Sequence, residues 1–512
     1  MKMIKTCRRI FVTYKTPAIL GTTIWMLMFL HPRDMWDGTI VSYASLTNDL
    51  QGIERLTSDT SLHSVYYLFR TEIFLADFFH IKFMLVDRFV VGMALVTICL
   101  CIRDFVENRC LLEAKWSSLS LSIFLTFPIW HILTSSTQTF YLVFTSMGMA
   151  GIFLIYKQKL KTTLVGLVLL LISFEMSSLI MFIPILAVVF ELTETTSRKT
   201  PLRLARPFFV FSLATVYWFA SRKISMPRGE YVGYNKIVSP LSIEGWTMIK
   251  SGMANYSSFL LLPSIGVSIL VCTLILFRTA PDVGLSSQEK TWNSSSITVP
   301  LLVASVIPYV LVGKSTLIDD FDWSGRHAIL LSIPFSIGLT LVARAVLHSV
   351  SRPRLNKFLF VCTFVVLVLP QGLIMTHGFI TKYDRQEIDE QLSISLRKYQ
   401  IPPGLVEIVG MPPLVPAHRD YESNYLFAET FGKPRWWTRI APTTDPSFSI
   451  PSLTSEPDYQ QMYIFKPESQ LCRSLISVEL TRRHRLVDRV KTLLNLKGHV
   501  KIEVVNLSSK CN

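Results

Sequence analysis

The sequence has few charged residues for its length. Asp, Glu, Lys and Arg make up 17% of its 512 residues, whereas a soluble domain carries about 25%. The motifs of common soluble enzymes are also missing, since we find no GxGxxG after a strand and no Walker A, HExxH, GxSxG or EF-hand loop. These absences leave no basis for ATP-driven or Rossmann-type chemistry, and the charge deficit is typical of a membrane protein.

The spacing of the cysteines does not indicate a metal site. There are 8 cysteines, with no CxxC and no Cys/His metal spacing among them. Cys472 and Cys511 are the two that fall in the C-terminal region. If that region is exported, a disulfide between them is one possibility, and two free thiols are the other.

The net charge of +15 does not indicate a nucleic-acid partner. Cytoplasmic loops of membrane proteins collect Lys and Arg in any case. The chain begins with a basic segment and an apolar run that lacks a small-x-small cleavage site, so we expect a retained first span rather than a cleaved signal peptide.

Long apolar stretches dominate what is present. A hydrocarbon core of about 30 Å requires roughly 20 apolar residues per helix, and only helices or closed barrels satisfy the backbone there. The sequence therefore predicts an all-α polytopic membrane protein. The candidate spans are 11–31, 86–103, 117–134, 139–156, 207–221, 257–277, 297–313, 327–346 and 358–377, with a longer stretch at 162–191.

Basic clusters set the topology of these spans. The positive-inside rule places the clusters at 157–161 and 198–206 on the cytoplasmic side together. The stretch 162–191 must then leave and return as two short helices that meet at Glu175. This gives about eleven segments, with the N-terminus in the cytoplasm and the C-terminus outside.

Two outer regions are long enough to carry structure of their own. The loop 32–85 interleaves aromatic and charged residues, which predicts amphipathic helices at the membrane interface. After the transmembrane domain 1–377, residues 378–512 form a small α/β extracytoplasmic domain, with a helix at 384–399 and strands at 406–410, 462–466 and 500–507.

The first outer loop opens with two acids directly after the first span. Asp34 and Asp37 are three residues apart and flank Trp36, with Arg33 beside them. A carboxylate at the outer boundary can act as a general base towards a sugar hydroxyl. The alternative is a pair of solvated loop acids, one of them capping a helix.

A second outer loop, 314–327, is short and dense in charge. Arg beside His at the start of a span can neutralise a phosphate, and three aspartates nearby could hold a divalent cation, Mg²⁺ or Mn²⁺, or simply balance the basic groups. The alternative is an interfacial anchor built from Trp323. The candidate substrate-binding residues are Arg33 of the first outer loop and, in this loop, Lys314, Asp319, Asp320, Asp322, Arg326 and His327.

Glu175 is a further candidate for substrate binding, because ionisable residues at membrane depth usually face a cavity. The alternative places it at the outer surface.

This arrangement resembles the GT-C superfamily of polytopic glycosyltransferases. The shared features are an inside N-terminus, an Asp-bearing first outer loop, about eleven segments and an exported C-terminal domain. The segment from Pro308 to His327 also looks like a stretch in uncharacterised bacterial membrane proteins. The usual Asp-Asp or Asp-Glu doublet is replaced here by Asp34-x-x-Asp37.

The resemblance implies a donor sugar on a polyprenyl phosphate, with the lipid in the bilayer. Asp37 or Asp34 would deprotonate a hydroxyl of a glycan, lipid or protein acceptor. The sugar C1 would be attacked with inversion, and Arg326, His327 and Lys314 would stabilise the leaving phosphate. The expected location is a bacterial inner membrane, serving the cell envelope.

Two other functions stay open from the sequence. A transporter or flippase of lipid-linked saccharides would use the same basic loops, although few polar residues lie within the spans. A non-catalytic membrane scaffold would tolerate alanine at Asp34, Asp37, Arg326 and His327.

Overall fold

A computed structural model gives the arrangement of most of the chain. It describes residues 2–31, 33–157, 159–193, 205–224, 226–228, 232, 236–277, 288–348, 353–411, 420–432, 436–440, 472–482, 486–494, 496 and 500–511.

The described chain is mostly helical, with one small sheet near its C-terminus. Its helices are α1 Lys2–Leu30, α2 Gly38–Thr47, α3 Gln51–Thr60, α4 His63–Phe79, α5 Phe83–Asp104, α6 Ala114–Leu125, α7 Ser136–Tyr156, α8 Leu160–Ser173, α9 Ser177–Leu192, α10 Ala205–Ile224, α11 Ile243–Phe277, α12 Gln288–Val310, α13 Ser332–His348, α14 Pro353–Leu396, α15 Asp420–Phe431 and α16 Leu486–Leu493. Its strands are β1 Gly404–Val409, β2 Trp436–Ile440, β3 Cys472–Arg482 and β4 Val500–Cys511.

The chain is a membrane protein. By length and composition, three helical stretches of the described residues can cross a membrane: Phe83–Arg109, Ser136–Tyr156 and Arg354–Leu396. A pair bent by 54°, Ala114–Leu125 with Pro128–Thr134, raises the number to four. Every predicted span coincides with a helix, but a total of eleven crossings stays a prediction.

The side chains on α5 show which of its faces meets lipid. Phe89, Met93, Val96 and Leu100 recur at intervals of three and four residues, and all four are exposed. Ile98 and its neighbours on the opposite side pack into the main apolar core. Such an exposed apolar stripe would be unfavourable in water and is satisfied by hydrocarbon.

The short-helix hairpin expected at 162–191 is confirmed. The helix α8 ends at Ser173 and α9 begins at Ser177. Glycines let α8 approach α7 closely, because a Cβ atom on Gly151 would lie 2.9 Å from the carbonyl oxygen of Gly166. Small residues of this kind permit close helix packing in membranes, where apolar side chains gain little from burial against each other.

The long first outer loop contains three helices, α2 to α4. The last of them is amphipathic, with Phe69 and Ile73 buried and with Tyr67, Phe74 and Phe78 exposed. Aromatic side chains on the outer face of a helix that leads directly into α5 fit the expected position at the membrane interface.

The C-terminal region builds a four-stranded sheet in the order β2-β1-β3-β4. Strand β1 is parallel to β2 and β3, and β4 is antiparallel to β3. Cys472 is disulfide-bonded, and the register sets its backbone opposite Cys511. The strand predicted at 462–466 lies outside the described residues.

One helix joins the membrane region to this sheet. The helix predicted at 384–399 is the end of α14, a continuous helix of 44 residues that begins at Pro353. Its Phe379 and Tyr383 pack in the membrane-region core, and its Ile388 and Leu392 pack against the sheet. The expected boundary at 377/378 therefore falls inside a helix rather than in a linker.

Candidate active site

Loop 1, residues 31–37, is held in an unusual conformation. Trp36 has a φ of 52°, a left-handed conformation that costs a non-glycine residue of the order of 1–3 kcal/mol. Its backbone N–H donates to Oε1 of Glu422 at 2.6 Å, and Arg385 forms a buried ion pair with the same carboxylate. The C-terminal domain thus fixes the position of the Trp36 ring.

A second pair of contacts clamps the start of loop 1. Arg33 forms an ion pair with Glu429 of α15. The side-chain amide of Gln386, on α14, donates to the carbonyl oxygen of Arg33 at 2.7 Å. Two helices therefore hold this loop, and the side chain of Arg33 forms its ion pair within the protein.

Asp34 is buried and surrounded by donors. Its carboxylate accepts from the backbone N–H groups of Met35 and Ser136, both at 2.9 Å. The hydroxyls of Ser136 and Ser42 donate to it at 2.5 and 3.1 Å. Burial raises the pKa of Asp34, and the hydrogen bonds from Ser136 oppose that rise. This carboxylate ties loop 1 to α2 and to the start of α7.

Asp37 differs from Asp34 in its surroundings. It immediately precedes α2 and is only partly buried. Its side chain makes no capping hydrogen bond to that helix. Of the two acids in loop 1, Asp37 is the more exposed, because Asp34 is buried.

Loop 5, residues 314–327, folds around Asp320. That carboxylate accepts the hydroxyl of Ser324 and the backbone N–H of Asp322, the latter at 3.0 Å. Asp319 and Asp322 are exposed. In the part of the chain that the structure describes, no three His, Cys, Asp or Glu side chains are grouped as metal ligands, so we assign no cation to this loop.

The two loops meet through their tryptophans. The rings of Trp36 and Trp323 stack with centroids 5.4 Å apart and an interplanar angle of 10°. The guanidinium of Arg326 lies 5.2 Å from the centroid of the Trp36 ring, and one of its nitrogens donates to the carbonyl oxygen of Trp323 at 2.9 Å. An acid-bearing loop and a cation-bearing loop thus share one surface.

Lys382 brings another cation to this meeting point, from α14. Its side chain is 0% exposed, and its Nζ lies 3.8 Å from the centroid of the Trp323 ring. Among the described residues, neither Lys382 Nζ nor Trp323 Nε1 has a hydrogen-bond partner. Two buried N–H donors without acceptors are costly, and an anion that reached both would offset that cost.

Lys314 and His327 complete the basic side of loop 5. Burial, aided by the charge of Arg326, lowers the pKa of Lys314 to about 7. His327 is buried, and its ring lies 5.2 Å from that of Tyr309. The carbonyl oxygen of His327 accepts the hydroxyl of Tyr256 at 3.2 Å. A lysine that has lost part of its charge regains it when an anion binds nearby.

Glu175, a predicted substrate-binding residue, makes hydrogen bonds to the start of helix α4. It lies at the hairpin tip, where its carboxylate accepts the backbone N–H of Ser64 at 2.8 Å and the Ser64 hydroxyl at 2.7 Å. These bonds satisfy the first turn of α4 and join the hairpin to the outer loop. The observed contacts are those of a helix cap.

A buried charged network that the sequence did not reveal lies behind loop 1. Asp87 and Arg88 form an ion pair at 3.0 Å. The hydroxyl of Thr139 donates to Asp87 at 2.7 Å, and Arg88 donates to the carbonyl oxygen of Thr134 at 2.8 Å. This network fixes the short helical turn before α7, and with it the Ser136 that holds Asp34.

Comparison with known proteins adds one similarity. No model of a known protein family matches the sequence, and no curated protein matches it. The cryo-EM structure of the arabinofuranosyltransferase AftD from Mycobacteria is similar, with a TM-score of 0.42 and 12% identity over 83% of this chain and 31% of that chain. A mutant form of AftD gives a TM-score of 0.41 and 13% identity over 83% of this chain and 33% of that chain.

The chain spans about one third of the length of these structures. Both are of a glycosyltransferase, the class of enzyme that the sequence resembles. At these TM-scores the similarity carries no information on the activity or substrate of this chain, which depend on the contacts described above.

The site therefore contains more of the chain than its two loops. Sequence reasoning placed Arg326 and the loop 1 acids on the same side of the membrane, and the structure brings Trp36 and Arg326 together. The sequence reasoning did not identify Lys382, Arg385 and Glu422 as part of the site. A signal was present, since Lys382 and Arg385 directly follow the last apolar stretch, at the level where loop 1 leaves α1.

Proposed function

We propose that this chain is an integral membrane glycosyltransferase that moves a sugar from a polyprenyl-phosphate donor to an extracytoplasmic acceptor. The observation that supports it is the stacking of Trp36 on Trp323, with Arg326 and the buried amine of Lys382 against the same rings. Basic side chains clustered in this way suit a phosphate.

In this mechanism Asp37 is the general base. Asp34 already accepts four hydrogen bonds from buried donors, so taking up a proton would disrupt the start of α7. Asp37 is partly exposed beside Trp36 and can reach a bound hydroxyl. It accepts the proton of the acceptor O–H as the oxygen attacks C1 of the donor sugar.

The departing group is the lipid phosphate. As the new C1–O bond forms, the bond between C1 and the phosphate oxygen breaks with inversion, and its electron pair stays on that oxygen. Arg326, His327 and Lys314 stabilise the charge, and Lys382 joins them. Removing one preorganised hydrogen-bond donor to a developing negative charge typically costs about 2.7–4 kcal/mol.

The proposed orientation places this site outside the cytoplasm, in a bacterial inner membrane. The basic clusters at 157–161 and 198–206 favour the opposite side for loops 1 and 5. The disulfide at Cys472 fits an oxidising compartment. The acceptor, a glycan, lipid or protein, would approach from the C-terminal domain, which closes over loop 1.

The test is sugar transfer by the full-length chain in proteoliposomes with a radiolabelled polyprenyl-phosphate sugar. Asp37→Asn keeps the size of the side chain but removes the base, so we expect transfer to fall by roughly 10²- to 10⁴-fold. The matched control is Asp77→Asn, an exposed acid of the same outer loop, which should transfer at the original rate.

Equal activity in Asp37→Asn and the unmodified chain would remove Asp37 from this role. If the unmodified chain instead moves the intact lipid-linked sugar between leaflets without transferring it, the flippase alternative replaces the transferase.

A further inference from the structure

Helix α16 presents an apolar stripe to the exterior. Val487 and Val490 in this helix, and Leu494 directly after it, are spaced as one helical face and are 62%, 49% and 45% exposed. Asp488 and Thr492 on the other side are buried. An amphipathic helix normally buries its apolar face, so this one is arranged as if the exterior were apolar.

The position of α16 brings it to the outer end of the first apolar helix. Nε2 of His31, one residue beyond α1, donates to the carbonyl oxygen of Leu493 at 3.3 Å. The Leu493 side chain packs against the membrane-region core rather than the sheet core. The helix is therefore at the level where the chain leaves the membrane, with its stripe directed away from the protein.

The sequence around α16 is strongly basic. Residues 482–501 contain seven Lys and Arg and a single acid, Asp488. Within the helix, Arg489 is exposed and Lys491 is partly exposed. A basic amphipathic helix is typical of binding to an anionic membrane surface.

We propose that α16 binds the anionic phospholipid surface of the same bilayer. Val487, Val490 and Leu494 enter the boundary between head groups and acyl chains, and Arg489 and Lys491 pair with lipid phosphates. This contact holds the C-terminal domain down on the membrane beside α1. This proposal about α16 does not depend on the proposed transferase activity.

The direct test is hydrogen–deuterium exchange of the full-length chain in nanodiscs. Amides of residues 487–494 should exchange roughly tenfold more slowly in discs that contain phosphatidylglycerol than in discs of phosphatidylcholine alone, since each basic residue near an anionic surface contributes about 1 kcal/mol. Equal exchange in the two lipids overturns the proposal.

Matched variants locate the effect. Arg489→Gln with Lys491→Gln should abolish the lipid dependence. Arg397→Gln with Lys398→Gln removes the same charge from an exposed site on the C-terminal domain and should leave it intact. Loss of the lipid dependence in both pairs would show a general charge effect and overturn the assignment to α16.

A second measurement identifies what touches the stripe. Benzoylphenylalanine at position 490 of the full-length chain should crosslink to lipid on illumination in the nanodisc. A crosslinked dimer in place of a lipid adduct would overturn the proposal and make the stripe a contact between copies of the chain.

Discussion

Lys382 places an amine in complete burial and, among the described residues, has no hydrogen-bond partner. Its contact with the Trp323 ring offsets only part of the cost, because a cation–π contact is worth about 2 kcal/mol when desolvated. An anion within reach of this amine would offset the rest of the cost. The residue that best supports a phosphate site is therefore Lys382 of α14, which belongs to neither loop 1 nor loop 5.

Lys382→Met is expected to separate stability from binding. Without a ligand, the variant should show a higher Tm, since it removes a buried polar group whose missing hydrogen bond costs about 1–3 kcal/mol. The rise in Tm that inorganic phosphate produces in the unmodified chain should disappear. Both effects can be measured by thermal unfolding in detergent with and without phosphate.

Two controls accompany this variant. Lys382→Arg keeps the charge and should retain part of the response to phosphate, whereas Lys398→Met, at an exposed position, should change neither value. If Lys382→Met responds to phosphate as strongly as the unmodified chain, Lys382 is not part of an anion site.

At the scale of elements, Asp34 holds three segments of the chain together. Its carboxylate joins loop 1, α2 and the first turn of α7 through Ser42 and Ser136. The favourable dipole at the N-terminus of α7 adds to these bonds. The sequence showed two equivalent acids, and only the start of another helix distinguishes them.

Asp34→Ala should destabilise the protein and disorder loop 1. Removal of the carboxylate leaves the buried donors of Ser136 and Ser42 without an acceptor, at a cost of about 1–3 kcal/mol. Asp77→Ala, at an exposed acid of α4, is the control. The Tm should fall in Asp34→Ala and not in Asp37→Asn; a fall of similar size in both would contradict the separate roles of the two acids.

Helix α14 links the membrane region to the C-terminal domain rigidly. Its 44 residues extend over about 66 Å, roughly twice the hydrocarbon thickness. One end packs among the apolar helices and the other against the sheet. Lys382, Arg385 and Gln386 lie between these ends, which explains why one helix contributes to the site and clamps loop 1.

At the scale of the whole molecule, the C-terminal domain covers the outer end of the membrane region. Its α15 carries Glu422 and Glu429, which hold loop 1, and its α16 contacts the residue after α1. The candidate site thus lies where the C-terminal domain meets the membrane region.

The orientation of the whole molecule can be tested with reporter fusions. An alkaline phosphatase fused after the last residue should be active, because the basic clusters favour an exported C-terminal domain. The same enzyme fused after Arg206, within the cytoplasmic cluster 198–206, should be inactive. A third fusion joins a fluorescent protein that matures only in the cytoplasm to the same C-terminal residue. If the C-terminal phosphatase fusion is inactive and this fluorescent fusion is bright, the proposed site lies on the wrong side of the membrane.

Much of the architecture was predictable from the sequence, and the reason is physical. Apolar stretches must be helical in a bilayer, and charge asymmetry required the turn that the structure places between Ser173 and Ser177. The role of Glu175 was not predictable, because its partner Ser64 is 111 residues away. The spacing of apolar residues also could not show that 384–399 continues the apolar helix before it. That spacing changes at the point where α14 leaves the membrane-region core.

The sequence by itself determined that the chain is a helical membrane protein with a short-helix hairpin and an α/β C-terminal region, because hydropathy and charge act locally along the chain. Only the tertiary structure decided which polar residues meet. It placed Trp36 on Trp323, enclosed Lys382 beside them and committed Asp34 to the start of α7. These contacts join residues that are distant in sequence, so no local pattern encodes them.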